Sequence, residues 1–222
     1  SGIYSAEPML EAMEMILAVA EKFPDLEFVD FGGGFGIPYR PEQQALDMMD
    51  LSQKMTRYFT EFRQNYGRGL TMKIEPGKLL LGPVGILLTT VTNISDTPKH
   101  RFVGVDSGFN HLVRPTMYGS YHKILNASRN SGVEEDVVVV GYICESGDIF
   151  SRTDEKIKRR LTSPKIGERL AFLDAGAYGI SMSSQYNLRP RPAEVLVHNG
   201  QSRLIRRAET FEDLTQCFVD FD

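Results

Sequence analysis

Cysteine is scarce in this chain. Cys144 and Cys217 are the only two, far apart and without metal-ligand spacing, which argues against a disulfide framework and for a reducing compartment. An excess of one charge is missing as well. The 25 Lys and Arg against 29 Asp and Glu give a net charge of −4, which leaves no electrostatic footprint for nucleic acid or an anionic membrane. Long apolar runs are also absent: the longest, such as residues 137–140 with Ile143, are strand-sized, so neither a signal peptide nor a membrane span is read, and the cytoplasm is the default compartment. His100, His111, His122 and His198 lack metal spacing, and no metal site is expected. There is no internal repeat and no low-complexity linker. The chain opens Ser1-Gly2-Ile3 with no initiator Met and runs at once into a helical pattern, so it reads as the back part of something longer.

Glycine, by contrast, is concentrated. An apolar run with β character, residues 28–31, stops at Gly32, Gly33 and Gly34. Three glycines in a row carry an entropic cost and suit a main chain that takes positive φ or approaches a ligand too closely for a Cβ. Bare amide N–H groups in such a loop can converge on the oxygens of an anion such as phosphate. A tight strand-to-helix turn with no ligand is the alternative. Two familiar glycine loops do not fit: no Gly-Lys-Ser/Thr follows, and Ile37 stands where a dinucleotide fingerprint starting at Gly32 needs its third glycine.

A chain of 222 residues is long enough for one large or two small domains. Ser5 is a candidate N-cap, with Pro8 in the first turn of a helix carrying Leu10, Met13, Leu17 and Ala20. Residues 27–31 read as a strand. A long amphipathic helix is expected from Pro41, carrying Ala45, Met48, Met55, Phe59 and Phe62, and residues 71–75 read as the next strand. Helix, strand, helix, strand with short connections argues for parallel βα units. Ser1-Gly2, the three glycines and residues 75–78 then fall at strand C-terminal ends, the face where βα barrels carry their sites. After Gly85 the texture changes to strands at 86–94, 101–106, 137–143, 168–173 and 193–197, with Asn199-Gly200 as a hairpin turn. The charged run 152–160 reads as a solvated loop or short helix, and Thr210 with Asp213 as the capping box of a short helix through Phe218. The division expected is 1–85, βα, and 86–222, mostly antiparallel β.

Four polar clusters, the first three containing glycine, follow strands in the second part: Asp106-Ser107-Gly108-Phe109-Asn110 with Arg114-Pro115 and Tyr118; Cys144-Glu145-Ser146-Gly147-Asp148; Asp174-Ala175-Gly176-Ala177-Tyr178; and residues 182–187. Taken in order, Gly32-Gly33-Gly34, Glu75-Pro76-Gly77, Cys144-Glu145-Ser146-Gly147-Asp148 and Gly176-Ala177-Tyr178 resemble the pyridoxal-phosphate decarboxylases of the alanine-racemase-like fold (fold type III). Within that family, Arg114-Pro115 with Tyr118, and Ser183-Ser184-Gln185-Tyr186-Asn187 before Arg191-Pro192-Ala193-Glu194, are most similar to diaminopimelate decarboxylases. The match spans essentially the whole chain.

The resemblance implies an α/β plus β fold: the C-terminal part of a (β/α)8 TIM-type barrel over 1–85, which binds pyridoxal 5'-phosphate, then a mostly antiparallel β-sandwich or barrel over 86–222. It implies that the phosphate lies on Gly32, Gly33, Gly34 and Gly77 with Ser1 and Tyr178 as further donors, that Glu75 faces the pyridine nitrogen, and that Cys144 is the catalytic proton donor. Glu145 would hold the distal ammonium of an amino-acid substrate, and Arg114 with Tyr118 its distal carboxylate. Lys78, where the family commonly has Arg, and Tyr178 would touch cofactor and substrate; Lys78 keeps the charge without the bidentate fork. The family's Schiff-base lysine segment has no counterpart here, and Lys54 and Lys73 lack its context, so the chain alone is expected to be inactive and to need an N-terminal segment. A homodimer with shared active sites is implied. Decarboxylases of ornithine, arginine or a carboxylated polyamine are the alternatives, as is a catalytically dead partner that kept the fold. Read without the resemblance, Cys144 could be a buried inert thiol, Tyr121 and Tyr186 packing residues, and Arg191 a surface-paired arginine.

Overall fold

The helix α1, Glu7–Ala20, buries Met9, Met13, Leu17 and Ala20 on one stripe, the 3.6-residue periodicity of an amphipathic helix. The computed structural model describes residues 2–219; the chain separates into two compact units, Ser1–Val84 and Gly85–Asp222. In the first unit, β1 (Phe28–Asp30) pairs in parallel with β2 (Thr71–Lys73), Val29 opposite Met72. The second helix, α2 (Met48–Tyr66), covers this core with Leu51, Met55, Phe59 and Phe62 and ends on Gly67 at φ +75°. A single turn of helix, α3 (Gly77–Leu81), follows β2.

Two expectations fail in this unit, both at helix starts. The second helix begins not at Pro41 but at Met48, because the Asp47 side chain accepts from the Met49 and Asp50 amides at 3.0 Å and so caps the helix there. The first starts after Ala6, with no side-chain cap, rather than on Ser5. Among the described residues no barrel closes within this unit, whose sheet has two strands.

The second unit is built on a six-stranded mixed sheet of order β5-β8-β3-β4-β6-β7, with β3 (Leu87–Asp96), β4 (Arg101–Val105), β5 (Ile124–Asn126), β6 (Glu134–Val140), β7 (Arg159–Thr162) and β8 (Arg169–Phe172). All pairs are antiparallel except β4 with β6. The edge strands β5 and β7 lie beside each other, which curls the sheet into a nearly closed barrel around Val91, Val103, Val137, Val139, Phe150, Leu170 and Phe172. The charged run before β7 is a loop as far as Lys158, but Arg159 turns inward, buried, with its guanidinium 3.9 Å from the Tyr121 ring centroid. Stacking on an aromatic face offsets part of the cost of taking that charge off the surface.

A separate hairpin, β9 (Glu194–His198) and β10 (Gln201–Arg206), turns at Asn199 and Gly200, both at positive φ, as the Asn-Gly pair requires. The capping box of Thr210 and Asp213 forms and opens α5 (Phe211–Thr215), which stops short of Phe218. Among the described residues no helix is long and apolar enough to cross a membrane.

Candidate active site

In the first unit the glycine loop, the chain start and the end of β2 gather. Gly2 and Ile3 donate to the Gly34 carbonyl at 3.0 and 2.9 Å, Gly36 donates to Ile3, and the Glu75 amide donates to the Gly32 carbonyl at 2.8 Å. Gly32 and Gly34 hold positive φ of +69° and +94°. Gly33 is constrained by space instead: a Cβ there would lie 2.5 Å from the Glu75 carbonyl oxygen. Main chain against main chain is a cradle that only glycine permits.

The donors in this cradle are not equivalent. The Gly32 amide is taken by the Asp30 carboxylate at 2.9 Å and the Gly77 amide by the Glu75 carbonyl at 2.9 Å. Each of these two amides satisfies an internal acceptor here. The Gly33 and Gly34 amides donate to nothing among the described residues and remain for a ligand. Glu75 is exposed at the end of β2 and Lys78 is half-buried in α3. Ser1 lies outside the described residues. Lys54 and Lys73, which lack the Schiff-base context, are engaged elsewhere: Lys54 donates to Asp50 at 2.6 Å, which raises its pKa, the opposite of what a lysine nucleophile needs, and the Lys73 ammonium sits 3.4 Å from the Phe28 ring centroid.

The second unit brings its polar loops together through hydrogen bonds. The turn after β4 places Asn110 and His111 inside, with Ser107 Oγ 2.9 Å from His111 Nδ1. A one-turn helix, α4 (Arg114–Tyr118), follows, with Arg114 only 7% exposed and Tyr118 exposed. Thr116 Oγ1 donates to the Gly147 carbonyl at 2.9 Å, tying α4 to the Cys144 loop. The Arg114 guanidinium stands 5.9 Å from the centre of the Tyr178 ring, and Tyr178 takes a positive φ of +60°. Gly85 and Gly176 approach so closely that a Cβ on Gly85 would meet the Gly176 Cα at 2.2 Å.

Cys144 is exposed, which removes the reading of an inert buried thiol, and both cysteines are free. Glu145 Oε1 accepts from the Ser146 hydroxyl and the Gly147 amide, both at 3.3 Å, so its carboxylate is held by its own turn. Two residues that stand in the quoted motifs without an assigned role hold this loop. Asp148, 3% exposed, accepts from the Phe109 amide at 2.7 Å and the Ile143 amide at 2.9 Å; burial pushes its pKa up against those two donors. Asn187 Oδ1 accepts from the Cys144 amide at 3.0 Å. Asp148 could have been found from the loop itself, as a carboxylate closing a Gly-containing turn, whereas nothing local to Asn187 points 43 residues back.

His122 is wholly buried and donates through Nδ1 to the Leu173 carbonyl at 2.9 Å. Burial lowers its pKa to about 4, and the nearby Arg114 and Arg159 charges act the same way. Arg191 pairs with Glu209, Nε to Oε1 at 2.7 Å, and both residues are half-buried.

A family model described as "Pyridoxal-dependent decarboxylase, C-terminal sheet domain" matches residues 4–176. A diaminopimelate decarboxylase of Methanothermobacter thermautotrophicus is 46% identical over 221 residues, covering 96% of this chain and 50% of that protein. One from Aquifex aeolicus is 35% identical over 224 residues, covering 99% of this chain and 51% of that protein. A crystal structure of diaminopimelate decarboxylase from M. jannaschii in co-complex with L-lysine superposes with a TM-score of 0.88 at 34% identity, covering 99% of this chain and 50% of that one. The chain thus spans about half the length of the relatives it matches.

Proposed function

The chain belongs to the pyridoxal-dependent decarboxylases, and from that premise we propose that it is the C-terminal part of a diaminopimelate decarboxylase, which releases CO₂ from meso-2,6-diaminoheptanedioate to leave L-lysine. The observation that carries this reading is a buried guanidinium, Arg114, tied through α4 to the loop bearing Cys144 and Glu145. A substrate with an amino-acid group at each end needs a cation for its distal carboxylate and an anion for its distal ammonium, and these loops offer one of each. The first unit, with its two parallel strands, is proposed as part of a (β/α)8 barrel, and the second as the β domain.

Pyridoxal phosphate, when bound, supplies an electron sink for the pair left by the departing carboxylate. Its phosphate suits the Gly33 and Gly34 amides, the cradle that a Cβ would fill, with the Tyr178 hydroxyl as a further donor. Glu75 would hold a proton on the pyridine nitrogen, and Lys78 would act as a point charge. Cys144 would deliver a proton to the substrate's α-carbon, a task for a positioned general acid. Glu145 would accept from the distal ammonium, while Arg114 and Tyr118 hold the distal carboxylate. The homodimer with shared sites is proposed on the same footing, as is the cytoplasm as its compartment.

Co-expression with the remaining half of the enzyme tests this. The joined protein with pyridoxal phosphate is expected to release CO₂ and L-lysine from meso-diaminopimelate, and the chain alone to release none. Turnover by the chain alone, or a joined protein inert toward diaminopimelate, contradicts the proposal. In mixtures of a Cys144→Ala subunit with one lacking the cofactor-binding lysine, activity should reappear through hybrid dimers; mixtures that dimerise and stay dead rule out shared sites.

A further inference from the structure

Building on the reading of Cys144 as proton donor, we propose that Asn187 is a positioning residue, and that the left-handed turn at Asn187 and Leu188 serves to set its carboxamide oxygen on the Cys144 amide. A thiol that must reach one face of one carbon needs its main chain fixed, because small misplacements of a reacting group cost large factors in rate. Cys144 is exposed and sits in a loop, so packing does not fix it. The Asn187 Oδ1 contact at 3.0 Å reaches it from another part of the chain.

The backbone at this point is unusual. Asn187 stands at φ +55°, ψ +28°, and Leu188 follows at φ +53°. Asparagine visits this region readily, whereas a leucine there is unfavourable. Leucine 188 is 58% exposed, so burial of its side chain does not account for its conformation. What the turn does achieve is the Leu188 amide bond to the Gln185 carbonyl at 2.8 Å and the delivery of Asn187 to Cys144. Strain that persists where two loops meet is a mark of functional geometry.

The turn is anchored at its other side too. The Ser184 amide donates to the Asn110 carbonyl at 2.8 Å, the Tyr186 ring lies 5.0 Å from that of Phe109, and the Phe109 amide donates to Asp148. Asp148 in turn accepts from Ile143, next to Cys144. The three loops close a circuit, and Asn187 is its link to the cysteine. Only the carboxamide oxygen can accept from an amide N–H, so aspartate can replace asparagine here and alanine cannot.

The test uses the full-length enzyme. Asn187→Gly tolerates the left-handed backbone and removes only the acceptor; Asn187→Asp restores an acceptor. For Asn187→Gly, hydrogen exchange at the Cys144 amide should accelerate about three- to tenfold, the value of one neutral hydrogen bond, with kcat falling by a similar factor and KM unchanged. Asn187→Asp should bring both back toward wild type. Unchanged exchange at Cys144 in Asn187→Gly, or faster exchange with undiminished kcat, overturns the proposal. Cys144→Ala separates the two layers: if kcat survives that substitution, the proton-donor reading fails, while the exchange result still decides whether Asn187 holds the loop.

Discussion

The two units solve the problem of presenting polar groups in opposite ways. The first does it by omission: Gly33 has no side chain because the Glu75 carbonyl occupies the space, and what is left for a ligand is main-chain N–H. The second does it by restraint, with Arg114 on the one-turn helix α4 and Cys144 and Glu145 on a loop, the amides of Phe109, Ile143 and Cys144 being claimed by Asp148 and Asn187. A backbone cradle is rigid wherever its strands are rigid. A side-chain site needs a further set of residues to hold it, and those residues carry no chemistry of their own.

The contrast is broken most sharply by one substitution in each unit. Arg114→Ala in the full-length enzyme should lower kcat/KM for diaminopimelate by about two orders of magnitude or more, because a buried partner of a charged group is lost. Affinity for pyridoxal phosphate, followed by absorbance titration, should not change. Gly33→Ala should do the reverse, weakening the cofactor about tenfold or more through an overpacking cost of about 1–3 kcal/mol. If Gly33→Ala binds cofactor normally, or Arg114→Ala loses it, the division of labour is wrong.

Acid should also separate the units. His122 is buried neutral, with its folded-state pKa pushed down to about 4 from an ordinary 6.5, so the unfolded chain takes up this proton first. Its contribution is full above pH 6.5 and declines as pH falls from 6.5 toward 4, by about 3 kcal/mol. Urea unfolding followed by a probe in the second unit should show this slope, and His122→Gln should flatten it. A slope unaltered in His122→Gln would place the acid sensitivity elsewhere.

A smaller effect lies lower on the pH scale. The Arg191 hydrogen bonds hold the Glu209 carboxyl at a pKa of about 2, below its ordinary 4.5. The stability it adds is present above pH 4.5 and lost as pH falls through about 2. Glu209→Gln should cost at most about 1 kcal/mol at pH 7, as a pair near the surface does.

Much of the scaffold was legible in the sequence, and for local reasons. Asn199-Gly200 can hardly be anything but a hairpin turn, and Thr210 with Asp213 is a self-contained cap. The glycine loop was legible because an absence of side chains is visible in letters. Strand β7 was hidden, since Arg159 belongs to a charged run and its burial involves Tyr121, 38 positions earlier. The start of α2 was misread because a proline at 41 outweighed Asp47, whose cap sets the boundary. Arg114 and Cys144 came from the ordered motifs of the resemblance with roles attached; Asn187 stands in one of those motifs without a role, because what it does depends on a left-handed turn that no periodicity encodes.

The central claim is that the side-chain site of the second unit selects a substrate with a distal carboxylate. Its most direct test is kcat/KM of the full-length enzyme for meso-diaminopimelate beside ornithine and arginine under one set of conditions. Turnover of diaminopimelate alone, with that preference collapsing in Arg114→Ala, is the predicted result; comparable turnover of ornithine or arginine by the unmodified enzyme would contradict it.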